Sequence, residues 1–426
     1  MTKYPTYKDS GIEWLGQIPT HWELLKAKYM FQKNKREVQD GDKVITCFRD
    51  GQVTLRENRR TTGFTESITE IGYQGIRKGD LVIHQMDAFA GAIGVSDADG
   101  KGTSVYHCCT PKGEYLTYYY AHVIREMALK GYIQSLYRGI RERSSDFNYV
   151  TFGNCLLPVP TPSEQRQIVA YLDYKSNKIN ERICQREREL QTLSELKQAD
   201  IAAVVTRGLD PNVPMKESGI EWLGKIPAHW EVRKIKNCLQ ERSEKGYPNE
   251  PILCATQSRG VIPQDMYDNR VVVVNKDFDK LKLVKCGDFV ISLRSFQGGI
   301  EYAYYQGIIS AAYTILTPKD KRNSEYFKHL FKSHDFIQLL QTCVTGIREG
   351  QNINYAMLAK HFIPIPPIEE QQKIVLYIKN RLYVIDEYIA KLKTEINYLQ
   401  EYKQRLISDV VTGKVDVRGV EIPNEE

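Results

Sequence analysis

The sequence predicts an α+β protein in which one large unit is repeated in tandem. Three observations lead there: a duplicated block, short β-branched runs mixed with helical spacing in each copy, and a long run without glycine or proline closing each copy. Ser10-Gly-Ile-Glu-Trp-Leu-Gly-Gln-Ile-Pro-Thr-His-Trp-Glu23 recurs as Ser218-Gly-Ile-Glu-Trp-Leu-Gly-Lys-Ile-Pro-Ala-His-Trp-Glu231, identical at twelve of fourteen positions with an offset of 208. Later blocks stay in step. Gly79-Asp80-Leu-Val-Ile83 matches Gly287-Asp288-Phe-Val-Ile291, Thr110-Pro111-Lys112 matches Thr317-Pro318-Lys319, and Gly139-Ile140-Arg141-Glu142 matches Gly346-Ile347-Arg348-Glu349. Both copies end on Val-Val-Thr, at 204–206 and 410–412. A period near 207 residues is far too long for a solenoid, so two copies of one large unit are implied.

Within each copy the first part reads as a globular α+β domain. Lys43-Val44-Ile45-Thr46, Asp80-Leu81-Val82-Ile83 and Val271-Val272-Val273-Val274 are bounded by Gly, Asp and Asn, as strands with loops are. Residues 118–137 and 326–343 carry apolar side chains at helical spacing. Each globular part then meets a proline-punctuated stretch, Leu157-Pro158-Val159-Pro160 or Ile363-Pro364-Ile365-Pro366.

From Ser163 to about Thr206, and from Ile368 to about Thr412, no proline or glycine interrupts the chain. Ile385, Ile389, Leu392, Ile396, Leu399, Leu406 and Val410 step by three, four or seven, a heptad seam with Lys403 in its skipped position. The first copy offers Ile179, Ile183, Leu190, Leu193 and Val204, with Arg186 and Lys197 at the gaps. Pro before each run and Glu in its first turn suit a helix N-terminus. About 40 residues at ~1.5 Å rise make a rod near 60 Å long. A seam of this kind needs a partner, and the other copy's helix is the nearest at hand. Because the second globular unit begins almost where the first helix ends, the expectation is an antiparallel coiled coil with one globular unit at each end and a pseudo-two-fold axis.

The chain of 426 residues is 42% apolar and 26% charged, with 59 basic against 53 acidic residues. A net charge of +6 permits a polyanionic partner without demanding one. No stretch approaches the ~18–20 uncharged apolar residues of a membrane helix, and the first residues lack the apolar core of a secretory signal. The expectation is a soluble cytoplasmic protein without a membrane partner. The nine cysteines include no C-x-x-C pair, so buried reduced thiols are expected, with no metal site.

No catalytic constellation emerges. Gly94 to Thr103 has the wrong glycine spacing for a phosphate-binding loop, and Phe89-Ala-Gly91-Ala-Ile-Gly94 lacks the following helix of a dinucleotide fold. Glu195-Leu-Lys197 lies on the heptad run, where such pairs are surface charges. His21 and His229 recur only within the Trp-rich block, which points to packing.

Binding surfaces remain. Arg56, Asn58, Arg59 and Arg60 form one basic polar loop, Arg138, Arg141 and Arg143 another, and Lys101 adds a further cation. The second copy offers Arg259, Arg270, Arg294, Gln297 and Arg348. Such mixtures suit phosphate and base-edge contacts, since Arg pairs with guanine and Asn or Gln with adenine. For any single residue a solvated charged loop is the alternative.

The paired Gly-Ile-Glu-Trp-Leu-Gly-x-Ile-Pro-x-His-Trp segments, the Pro-x-Pro-x-x-x-Glu-Gln-x-x-Ile-Val of each half and the closing Val-Val-Thr resemble the specificity subunit of type I restriction–modification enzymes. The resemblance covers essentially the whole chain, twice and in order. It implies target recognition domains at 1–157 and 216–363, a spacer helix with linker at 158–215, a second spacer helix at 364–413, and a tail at 414–426. It also implies a non-catalytic subunit that binds double-stranded DNA at an asymmetric two-part target. The spacer helices, beginning at Glu164, Gln165 and Ile168 and at Glu370, Gln371 and Ile374, then dock two methylation subunits, and two restriction subunits where the complex cleaves. No cofactor is expected in this chain; S-adenosylmethionine, ATP and magnesium fall to the partners. A coiled-coil scaffold that reads no DNA is the alternative.

Overall fold

A four-stranded antiparallel sheet forms the middle of each repeat. In the first, its order is Phe31–Asn34, Tyr106–Pro111, Leu81–His84, Ile93–Val95; in the second, Leu239–Arg242, Thr314–Pro318, Phe289–Ile291, Glu301–Tyr302. The computed structural model describes residues 2–59, 72–136, 147–267, 277–345 and 352–423. It divides into two units, Met1–Gln185 with Glu395–Glu426, and Arg186–Thr394.

Both faces of each sheet are buried, and strand alternation assigns side chains to two cores. Leu81 and Ile83 enter a large aromatic core with Tyr119, Tyr120, Phe147 and Phe152, while Val82 between them enters a smaller aliphatic core with Ile45, Val53 and Ile76. Phe289 and Ile291 face the large core of the second unit and Val290 its small one. The same alternation separates the adjacent Cys109 and Cys108. Among the nine free cysteines, Cys184 and Cys286 are exposed, which corrects the expectation of uniformly buried thiols.

The duplicated Gly-Asp pair marks the entry to the central strand. Gly79 and Gly287 both sit at φ 89°, a left-handed backbone that glycine adopts without strain. Buried Asp80 accepts the Arg77 N–H at 2.9 Å and pairs with Arg36; buried Asp288 accepts the Lys285 N–H at 2.8 Å and pairs with Arg242 at 3.0 Å. A buried carboxylate held by backbone and guanidinium donors is satisfied as such a charge must be.

The helix expected at 118–137 is Thr117–Leu129 followed by a separate turn, Tyr132–Ser135. Gly131, at φ 75°, ends the first and opens the second. Its counterpart is likewise split into Ser324–Leu330 and His334–Thr342, the Ser333 hydroxyl donating to the Leu330 carbonyl at 2.7 Å between them.

The long helices run Pro162–Arg207 and Ile368–Val411. Thr161 caps the first: its hydroxyl accepts the Glu164 N–H at 3.3 Å, and Pro162 fills the first position, where no N–H is needed. In the first unit Ile179, Leu406 and Val410 are buried, and Lys403, at the heptad gap, donates to Asn180 at 2.8 Å. In the second, Val204, Ile385 and Leu392 are buried, and Lys197, at another gap, reaches Asp386 at 2.6 Å. The polar gaps at Lys403 and Lys197 are thus bridges to the neighbouring helix.

Each globular core is closed by the helix end of the other repeat. The Tyr119 hydroxyl donates to the Val411 carbonyl at 3.0 Å, and the Tyr326 hydroxyl to the Val205 carbonyl at 2.6 Å. Residues 414–423 are no loose tail. Asp416 bridges to Thr2, Val417 is buried, and Gln167 donates to the Val417 and Val420 carbonyls at 3.2 and 2.7 Å. They belong to the first unit.

Candidate nucleic-acid interface

In each unit a cation beside the sheet joins two surface turns. In the first, the turn at 48–52 follows strand Ile45–Cys47, and a 3₁₀ turn, Ala88–Ala90, follows Leu81–His84. Arg125, on the helix Thr117–Leu129, donates through Nη1 to the Arg49 carbonyl at 3.1 Å and to the Gly91 carbonyl. In the second, the turn at 256–260 follows Leu253–Thr256, and the helical turn Ser295–Gly298 follows Phe289–Ile291. Lys332 donates to the Gln257 carbonyl at 3.3 Å, the Gly298 carbonyl at 2.7 Å and Glu301 at 2.5 Å.

Local sequence shapes these turns. The Thr256 hydroxyl accepts the Arg259 N–H at 2.9 Å and donates to the Gly260 carbonyl at 2.8 Å; the Ser295 hydroxyl accepts the Ser292 N–H at 2.8 Å. Burial lowers the pKa of Arg125, with Asp50 and Cys47 acting in opposition. Burial pushes the Glu301 carboxyl up to about 7 against the pull of Lys332, and its second oxygen is buried without a partner.

The side chains presented differ. In the first unit Arg49 pairs with Asp87 at 2.8 Å; Arg59 pairs with Asp50 at 2.7 Å and lies 4.2 Å over the Phe48 ring. Exposed Asn58 donates to Thr54 at 2.8 Å, and half-buried Arg56 lies 3.4 Å from Thr46. Lys101 sits in the strand Gly100–Gly102, half-buried. In the second unit Arg259 is exposed and donates to the Met266 carbonyl at 3.2 Å, while Arg294 and Gln297 are exposed on the neighbouring turn. Arg60, Arg138, Arg141, Arg143, Arg270, Arg348 and the run at 271–274 lie outside the described residues. Thus Arg259, Arg294 and Gln297 come onto one pair of turns, as do Arg59 and the Phe48 turn.

Sequence reasoning missed Arg49, Arg125, Gln257, Glu301 and Lys332. The signal was available: Arg125 and Lys332 stand 207 apart, the offset of Thr110 and Thr317.

The profile of the "Type I restriction modification DNA specificity domain" family matches residues 227–398. A Methanocaldococcus jannaschii protein named as a proposed type I restriction enzyme MjaX specificity subunit is 23% identical over 443 residues, covering 95% of this chain and 96% of its own length. Residues 227–398 carry that family's domain, and nearly the whole chain is similar to a type I specificity subunit. The EcoBI specificity subunit of Escherichia coli is 23% identical over 285 residues, 62% of this chain and 59% of that protein. A chain from a solved type I restriction–modification structure, described as the structural basis underlying complex assembly and conformational transition, has the same fold. Its TM-score is 0.67 at 15% identity, covering 93% of this chain and 99% of that one.

The motif residues at the helix starts point inward. Buried Glu164 accepts from the Tyr4 hydroxyl at 2.5 Å and contacts His21 at 3.0 Å; Glu370 contacts His229 at 2.7 Å and accepts from the Trp230 indole at 3.0 Å. Gln165 takes the Leu116 N–H at 2.9 Å, and both Gln165 and Gln371 donate to the proline carbonyl five residues back at 2.9 Å. Ile168 and Ile374 are fully buried. This corrects their assignment as partner contacts: Gln165, Gln371, Ile168, Ile374 and Glu164 are buried and lock each helix onto its own domain. It also explains the duplicated His, which serves the helix carboxylate as well as the Trp packing. Among the described residues no His, Cys, Asp or Glu cluster suits a metal, and no helix is long and apolar enough to cross a membrane.

Proposed function

We propose that this chain reads DNA sequence for a type I restriction–modification complex, each unit taking one half of an asymmetric two-part target. The observation that carries the reading is the repeated pair of pinned turns, one scaffold presenting different polar side chains in each unit. Arg259, Arg294 and Gln297 are proposed base or phosphate contacts of the second unit, with Arg56, Asn58, Arg59 and Lys101 in the first. The six arginines outside the described residues remain candidates on the sequence pattern alone. The long helices are proposed to pair antiparallel along a pseudo-two-fold arrangement, setting the gap between half-sites and docking two methylation subunits, with restriction subunits where the complex cleaves. Methyl transfer and ATP-driven cleavage then belong to those partners, with their S-adenosylmethionine, ATP and magnesium.

Long-read mapping of methylated adenine in the host, with and without the gene, tests this. A two-part motif that disappears with the gene is expected; an unchanged methylome overturns the proposal. Deleting one heptad from each helix should change or abolish the gap, and an unchanged gap removes the helices as the ruler. DNA affinity that falls steeply with salt separates this reading from an inert scaffold.

A further inference from the structure

We infer that Arg125 and Lys332 are positioning residues for sequence reading, each fastening two surface turns of its unit into one rigid reading head. The inference rests on the DNA-reading role proposed above. The two cations differ in chemistry yet occupy the same repeat position, and both reach the carbonyl of the first turn's matching residue, Arg49 or Gln257. Both also reach the carbonyl of a glycine on the second turn, Gly91 or Gly298. The turns touch where they are fastened. A Cβ built on Gly94, just past the second turn, would lie 1.9 Å from the Gly51 carbonyl, and one on Gly298 would lie 3.1 Å from the Gln257 side chain.

The bonds to the turns run to backbone oxygens, the further Lys332 bond going to Glu301 on the adjoining strand, so the fastening takes no account of which side chains the turns carry. Arg49 can become Gln257, and the 3₁₀ turn Ala88–Ala90 can give way to Ser295–Gly298 with Arg294 and Gln297 beside it, without moving the frame. That is what one fold needs in order to read two sequences. Discrimination by base-edge hydrogen bonds requires side chains held to within about 0.5 Å, and turns on a surface hold no such position unaided. Charged donors make the stronger bonds to those carbonyls.

The test is methylated-adenine mapping in the host, with Lys332→Met and Arg125→Met introduced separately into the full-length gene. Lys332→Met should raise methylation at sites mismatched in one half of the motif by about tenfold or more and leave the other half unchanged. Arg125→Met should relax the opposite half. Lys332→Arg and Arg125→Lys should restore discrimination, which a general loss of stability would not predict. Folded variants with wild-type stringency, or relaxation of both halves alike, overturn the inference. If Lys332→Met yields no soluble chain, Gly298→Val decides, because its strain falls on the surface turn: relaxation confined to one half supports the assignment, and unchanged discrimination overturns it. A wild-type host without any gene-dependent motif instead removes the DNA-reading role itself.

Discussion

The two units keep the same frame and change what it presents. Both hold a Gly-Asp bend with an arginine on the carboxylate, a histidine on the first-turn glutamate of a long helix, and a tyrosine on the closing valine carbonyl. At the fastened turns the likeness stops. The first unit presents exposed Arg49 and Arg59, each paired with an aspartate, Asp87 and Asp50, and the second presents exposed Arg294 and Gln297. Buried positions are constrained by packing on all sides, and the turns only by their backbone. Divergence has therefore collected at the turns proposed to meet DNA.

The largest expected break in the likeness is in the cores. Trp22 and Trp230 are fully buried equivalents, and replacing either with Ala should destabilise its unit by about 3–5 kcal/mol, read by chemical denaturation. Phenylalanine should separate them. The Trp230 indole donates to Glu370 at 3.0 Å, while the Trp22 indole N–H is buried without a partner. Trp230→Phe is then expected to cost about 1 kcal/mol more than Trp22→Phe. Equal losses would mean that the Glu370 bond contributes nothing net.

Glu301 has no carboxylate counterpart in the first unit, where the matching strand position is Gly94. Its folded pKa, about 7, exceeds its ordinary 4.5, so between these values the native state keeps a proton that the unfolded chain has released. By linkage the second unit loses stability as pH rises through that window, on the order of 3 kcal/mol, and the loss is complete above it. His329, buried and pushed down to about 4, acts with the opposite sign over much of the same range. The difference between wild type and Glu301→Gln isolates the carboxyl: the variant should gain relative stability steadily from pH 4.5 to 7. A flat difference in thermal melting temperature across that range overturns it.

Tyr119→Phe and Tyr326→Phe each remove one buried hydrogen bond, to Val411 and Val205, and should cost about 1 kcal/mol apiece. A much larger loss in one of them would mark that closure as the weaker frame. The smallest effect is expected at the exposed Lys43–Glu57 pair of the first unit, 2.7 Å apart, where Lys43→Ala should shift stability by no more than about 0.5 kcal/mol.

The architecture was legible where repetition and period carry it. Twelve shared positions placed the second unit, and heptad spacing placed the helices. Two features were hidden for physical reasons. Splitting of the helices expected at 118–137 and 326–343 depends on local bonds at Gly131 and Ser333, which apolar spacing does not register. The fastened turns depend on backbone carbonyls, which every residue possesses, so no residue type at Arg49, Gln257, Gly91 or Gly298 announces them. Glu164 and Gln165 were visible as a motif but not by direction; burial turned them from a partner surface into an internal lock.

The closure of each core by the other repeat's helix end has a consequence for the order of events on the ribosome. Everything the second unit needs, from Arg186 to Thr394, leaves the exit tunnel as one continuous stretch. The first unit, begun earlier, stays open with Tyr119 and its aromatic neighbours uncovered until residues 395–423 arrive, about 280 residues after its own four-stranded sheet is complete at Pro111. The half synthesised first is the half finished last, and it carries the aggregation risk of the nascent chain.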